Sequence, residues 1–75
     1  MNKKVELTNL IEEVCVSKDY QLLYKQVILS ICKKMMETKD NDLFKRVFNT
    51  LNLIISDKKP IEYKIVVLRL IDKMI

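Results

Sequence analysis

Apolar residues recur along this chain at the three- and four-residue spacing that puts them on one side of a helix, in four stretches separated by short polar breaks. Leu7, Leu10, Ile11 and Val14 mark the first stretch, and either Asn2 or Asn9, the latter with Glu12 three residues on, is placed to cap it. Ser17-Lys18-Asp19 offers a Ser or Asp N-cap for the second, where Tyr20, Leu23, Tyr24, Val27, Ile28, Ile31, Cys32 and Met35 form an unbroken stripe. Leu22, Leu29 and Met36 form another stripe on the same segment, and a helix apolar on two faces is expected at the centre of a bundle. In the third stretch Asp40 is the expected N-cap, with Asp42 in the positive first turn ahead of Phe44, Val47, Phe48, Leu51, Ile54 and Ile55. Ser56-Asp57-Lys58-Lys59-Pro60 closes it. Pro60 fits the first position of a fourth helix, with Lys59 as the extended N-cap residue before it.

Tyr63 to Leu70 is rich in β-branched and aromatic residues, so composition alone also allows a strand there; the spacing favours a helix. Tyr24-Lys25, Phe44-Lys45 and Tyr63-Lys64 recur about 20 residues apart, which evenly spaced amphipathic helices produce without a solenoid. The expectation is an all-α fold, one helical domain over residues 1–75, built as a small antiparallel bundle of about four helices.

Composition narrows the function classes. The 75 residues include no Gly, Ala, His or Trp and a single Pro, which argues against phosphate-cradling loops, imidazole acid–base chemistry and most metal sites. No two carboxylates of Glu12, Glu13, Asp40 and Asp42 fall on one helical face, and Ser17, Ser30 and Ser56 have no imidazole partner. No catalysis and no cofactor are expected. Cys15 and Cys32 are read as reduced core thiols, too far apart along neighbouring helices to bridge. Glu6, Glu12 and Glu13 interrupt what would be the apolar run of a signal peptide, and the longest uncharged run, Val47 to Ser56, is too short to span a bilayer. A cytoplasmic protein is expected.

The formal net charge is +4, with twelve Lys and two Arg. Lys33, Lys34, Lys39, Lys45, Arg46, Lys58 and Lys59 gather near the helix ends, which raises nucleic-acid binding as an alternative. Neither candidate recognition helix fits: the third offers only Asn49, Thr50 and Asn52 as base readers, and the fourth is too apolar. Lys33 and Lys34 near the end of the second helix are accounted for by its dipole. The fourth helix is apolar nearly all round, with Tyr63, Val67, Leu70 and Met74 on one side, Ile61, Leu68 and Ile75 on another, and Glu62, Arg69 and Lys73 as its polar strip. So small a bundle cannot bury all of this, and the surplus predicts a protein-binding or self-association face; a membrane surface is the weaker use of it.

Val16-Ser17-Lys18-Asp19, Lys33-Lys34-Met35-Met36-Glu37 and Pro60-Ile61-Glu62-Tyr63, followed by Leu68-Arg69-Leu70-Ile71-Asp72-Lys73, resemble stretches of the immunity proteins that protect lactic acid bacteria from pediocin-like bacteriocins, such as the enterocin A immunity family. The resemblance implies a cytoplasmic antiparallel four-helix bundle without catalytic activity, which recognises a bacteriocin-engaged membrane receptor subunit. Family members carry a tail beyond the fourth helix that helps set specificity; here the resemblance moves that role onto the helix itself. A phage- or virus-encoded inhibitor of a host protein has the same composition and the same surplus face. The expected partner-binding residues are Lys58, Lys59, Tyr63, Val67, Arg69, Leu70 and Met74, against the alternative that Tyr63, Val67, Leu70 and Met74 are bundle core.

Overall fold

The computed structural model describes residues 3–17 and 21–75, in which the apolar spacing becomes four helices: α1 (Lys3–Val16), α2 (Leu22–Glu37), α3 (Asn41–Ser56) and α4 (Ile61–Met74). Each contributes one face to a shared core. Leu7, Leu10 and Val14 of α1 meet Tyr24, Ile28, Ile31, Cys32 and Met35 of α2, Phe44, Val47 and Leu51 of α3, and Ile65 and Leu68 of α4. The segment from Tyr63 to Leu70 is helical, so its β-branched content yields to packing.

Side-chain contacts fix the direction of each helix. Lys3 at the start of α1 donates to the carbonyl of Thr38, which follows α2, and its ammonium lies 5.2 Å from the Phe44 ring at the start of α3. At the other end of the bundle Lys25 in the first turn of α2 reaches the Cys15 carbonyl of α1 at 3.2 Å, and Lys64 of α4 reaches the Ile55 carbonyl of α3 at 3.0 Å. α1 and α2 are thus one antiparallel hairpin and α3 and α4 another. The hairpins join through α2 and α4, where Ser30 donates to Asp72 at 3.0 Å and Lys34 pairs with the same carboxylate at 3.0 Å. α2 is central in the sense that it packs on both α1 and α4.

The chain has no glycine, and among the described residues none adopts a positive φ, so the left-handed turn that commonly satisfies the last carbonyls of a helix does not occur there. Lysines from neighbouring helices do this instead. Lys25 serves the last turn of α1, Lys3 the end of α2, Lys64 the last turn of α3, and Lys34 the last turn of α4 through the Asp72 carbonyl at 2.6 Å. Each puts a cation at the negative pole of a helix dipole. Lys34 therefore acts across the bundle on α4 and not only on the dipole of its own helix. Part of the basic excess is structural.

The helix starts follow the sequence in one case and depart from it in others. Asp40 caps α3 as expected, accepting from Asp42 N at 3.0 Å and Leu43 N at 3.1 Å. α4 begins at Ile61, and Pro60, with ψ at 148°, is its N-cap; the expected N-cap Lys59 lies one residue outside. Proline's fixed φ is compatible with either position, and its extended ψ decides between them. α2 starts at Leu22 after Gln21, later than a cap within 17–19 implies, while Lys18, Asp19 and Tyr20 lie outside the described residues. Asn9 is interior to α1 and caps nothing; Asn2 lies outside the described residues.

Three core assignments change. Leu23 is exposed. The second stripe of α2, Leu22, Leu29 and Met36, is also exposed, because the two neighbours of α2 cover only its other sides. Cys15, in the last turn of α1, is exposed and only Cys32 is a core thiol; both are free.

Candidate binding face

α4 places its apolar residues on two opposite sides, and the bundle takes only one. Ile65 and Leu68 are buried, with Ile61, Ile71 and Ile75 packed at the edge of the core. Lys64 is also inward: 8% exposed, its stem lies along the core while its ammonium reaches the end of α3. The opposite side is open to solvent, with Tyr63 51%, Val66 59%, Leu70 57% and Met74 84% exposed. The structure thus places Tyr63, Leu70 and Met74 outside the core. Val67 is half-buried at the α3 edge of this stripe, and Arg69, Lys58 and Lys59 are exposed.

The stripe borders the seam between α3 and α4. Near the end of α4, Leu43, Val47 and Thr50 face Ile71, Met74 and Ile75 across a mainly apolar groove of about 200 Å³, with Arg46 on its rim. At the other end Ile54, Asp57, Lys59, Tyr63 and Val67 line a smaller hollow of about 140 Å³. Lys59 holds its ammonium 4.5 Å from the centre of the Tyr63 ring, which orients that ring beside the loop. The Asp57 carboxylate accepts from Lys59 N at 3.2 Å and fixes the loop locally. Lys58 takes no part in the hollow's lining.

Val66 belongs to this face and was missed in the sequence. Its signal was the spacing: Val66 is three residues after Tyr63 and four before Leu70, on the same line. Leu53, 72% exposed on α3, stands out in the sequence only as part of an uncharged run. A second exposed apolar line, Leu22, Leu29 and Met36, lies on the flank of α2 turned away from α4.

The basic residues are divided between those bound to helix-end carbonyls and those whose charge stays at the surface. Lys3, Lys25, Lys34 and Lys64 are bound to carbonyls, while Lys33, Lys39, Lys45, Arg46, Lys58 and Lys59 are exposed. Of the candidate base readers, Thr50 donates to the Arg46 carbonyl at 2.8 Å and Asn52 to the Phe48 carbonyl at 3.0 Å, so both fold back on their own helix.

Compared with known protein families, curated proteins and solved structures, the chain matches none. The site therefore stands on its own geometry. Among the described residues no three of Asp, Glu and Cys are grouped to hold a metal ion. No helix in the described residues is long and apolar enough to cross a membrane.

The two thiols differ in chemistry. Burial, and secondarily the charge of Cys15, push the Cys32 thiol up to about 11 from an ordinary value of 9.0. Iodoacetamide at mildly alkaline pH is expected to label Cys15 in the folded protein and both thiols only after denaturation, as read by intact mass. The raised value also has a sign for stability. The unfolded chain loses the Cys32 proton first, so its contribution is complete below pH 9 and disappears as pH rises through about 11.

Proposed function

We propose that this chain is a non-catalytic helical module that binds a protein through the outward face of α4 and the adjoining α3/α4 seam. The observation that carries the reading is the line of Tyr63, Val66, Leu70 and Met74, exposed on a helix whose other side forms the core. A continuous apolar stripe flanked by Glu62, Arg69, Lys73 and the loop lysines has the composition of an interface centre with a charged rim. Tyr63 and Arg69 are residue types that dominate interface energetics when covered. Structural use of four lysines supports a protein partner over nucleic acid, since it removes them from any basic stripe.

The most concrete form of the proposal is the bacteriocin-immunity-like role implied by the sequence resemblance, exercised from the cytoplasm on a membrane receptor subunit. A four-helix fold of the implied kind supports it. The connection between α2 and α3 is only residues 38–40, and α4 carries an exposed line of Tyr63, Val66, Leu70 and Met74 that can take the role a longer connection would have.

Capture from a low-GC bacterial lysate with tagged wild type and tagged Leu70→Asp tests the reading. A stoichiometric protein is expected with wild type, retained after nuclease treatment, and at least tenfold depleted with Leu70→Asp at unchanged helicity. Material lost on nuclease treatment, or a protein retained equally by the variant, contradicts it.

A further inference from the structure

Two exposed apolar lines lie on this bundle, Leu22, Leu29 and Met36 on α2 and Tyr63, Val66, Leu70 and Met74 on α4, and their flanking charges distinguish what each can meet. Two copies of one helix related by a two-fold axis run antiparallel, so residues equally far on either side of the axis face one another. Centred on Leu29, the α2 line sets Leu22 against Met36 of the second copy, and it also sets Lys25 against Lys33. That is a like-charge contact on both sides of the axis. Centred at the level of Leu68, the α4 line sets Val66 opposite Leu70 of the second copy and Tyr63 within one residue of Met74. On the polar edge it sets Glu62 near Lys73, twice, with Arg69 one turn from Lys73 and so also turned toward Glu62 of the second copy. The sequence of this face complements itself reversed.

Resting on the reading of α4 as a binding face, we propose that a second copy of this chain is a partner of that face, in an antiparallel α4 pair registered by Glu62 and Lys73. The size of the face sets the strength. Fully burying an aliphatic side chain corresponds to about 60–120 Å² of apolar area, which for four partly exposed side chains on each of two copies gives at most about 500–1,000 Å². Stable interfaces bury about 1,200–2,000 Å² in total, so the pair is a weak, concentration-dependent dimer with a dissociation constant of about 10 µM or higher. A pair this weak yields the face to a tighter partner.

Sedimentation velocity of the full chain from low micromolar to millimolar concentration reads the association directly. The expected result is a mass that rises from 8.9 kDa toward twice that value in wild type. Leu70→Asp is expected to stay monomeric throughout with unchanged helicity. Glu62→Lys and Lys73→Glu are each expected to raise the dissociation constant about tenfold, and the double variant, in which Arg69 still opposes the new lysine, to recover part of that loss and bind at least about threefold tighter than either single variant. Both residues are exposed, so these two changes test the register even where Leu70→Asp fails to fold. A wild type that is monomeric at every concentration overturns the pairing, and so does a double variant no tighter than the single ones. Monomeric wild type together with loss of the captured protein in Leu70→Asp overturns self-pairing alone, whereas a dimer and a captured protein both unaffected by Leu70→Asp overturn the binding face as well.

Discussion

Leu68→Ala is expected to lower the unfolding free energy by about 3–4 kcal/mol, a large share of the about 4–11 kcal/mol available to a domain of this length. Leu68 is 0% exposed and belongs to the buried core, so truncation removes buried methyl groups and leaves a void that the packed side chains around it only partly fill. Leu70, two residues on and 57% exposed, is the control: Leu70→Ala is expected to cost about 0.5 kcal/mol or less. Urea denaturation followed by far-ultraviolet circular dichroism measures both. Similar losses for the two variants would mean that α4 is not oriented as described. The contrast matters for function because it separates the side of α4 that holds the fold from the side available to a partner.

The second large effect is at Lys64. Its ammonium, 3.0 Å from the Ile55 carbonyl, serves the negative end of α3 from a position only 8% exposed. Lys64→Glu removes the donor and puts a carboxylate against those carbonyls at the negative end of α3, and is expected to cost about 3 kcal/mol or more. In a domain of this size that corresponds to a fall in Tm of about 15 °C. Lys64→Met keeps the apolar stem but leaves the carbonyl without its donor, at about 1–2 kcal/mol. Thermal melts that rank wild type above Met above Glu support the capping role. A Glu variant as stable as the Met variant would show that solvent, not Lys64, satisfies the end of α3.

Much of the fold was legible because each helix has one apolar line and each break has polar residues with local work to do. Asp40 is the plainest case, since an aspartate before Asn41, Asp42 and an apolar run predicts the bonds it makes to Asp42 and Leu43. The orientation of α4 was not legible. Ile61, Leu68 and Ile75 and the line through Tyr63, Leu70 and Met74 both satisfy helical spacing, and the choice depends on what α2 and α3 present to them. The same holds for Leu22, Leu29 and Met36, whose seven-residue spacing announces a face without saying whether anything covers it. The general burial of free cysteines predicts Cys15 in the core, but its position in the last turn of α1 leaves it outside. The cross-bundle lysines were foreshadowed only by an absence, in that a chain without glycine has to close its helices by other means, and which lysine reaches which carbonyl is a property of tertiary packing.

Hydroxyl-radical footprinting, with oxidation read residue by residue by mass spectrometry, tests the binding face most directly. Met74 is 84% exposed on that face, Met36 is 43% exposed on the flank of α2 turned away from it, and Met35 is buried, so one peptide map contains the probe, an exposed reference and a buried reference. In the bound state, compared with dilute free chain, oxidation of Met74 and Tyr63 is predicted to fall several-fold while that of Met36 stays constant. Protection of Met36 with Met74 still freely oxidised would contradict the account and move the binding surface from α4 to α2.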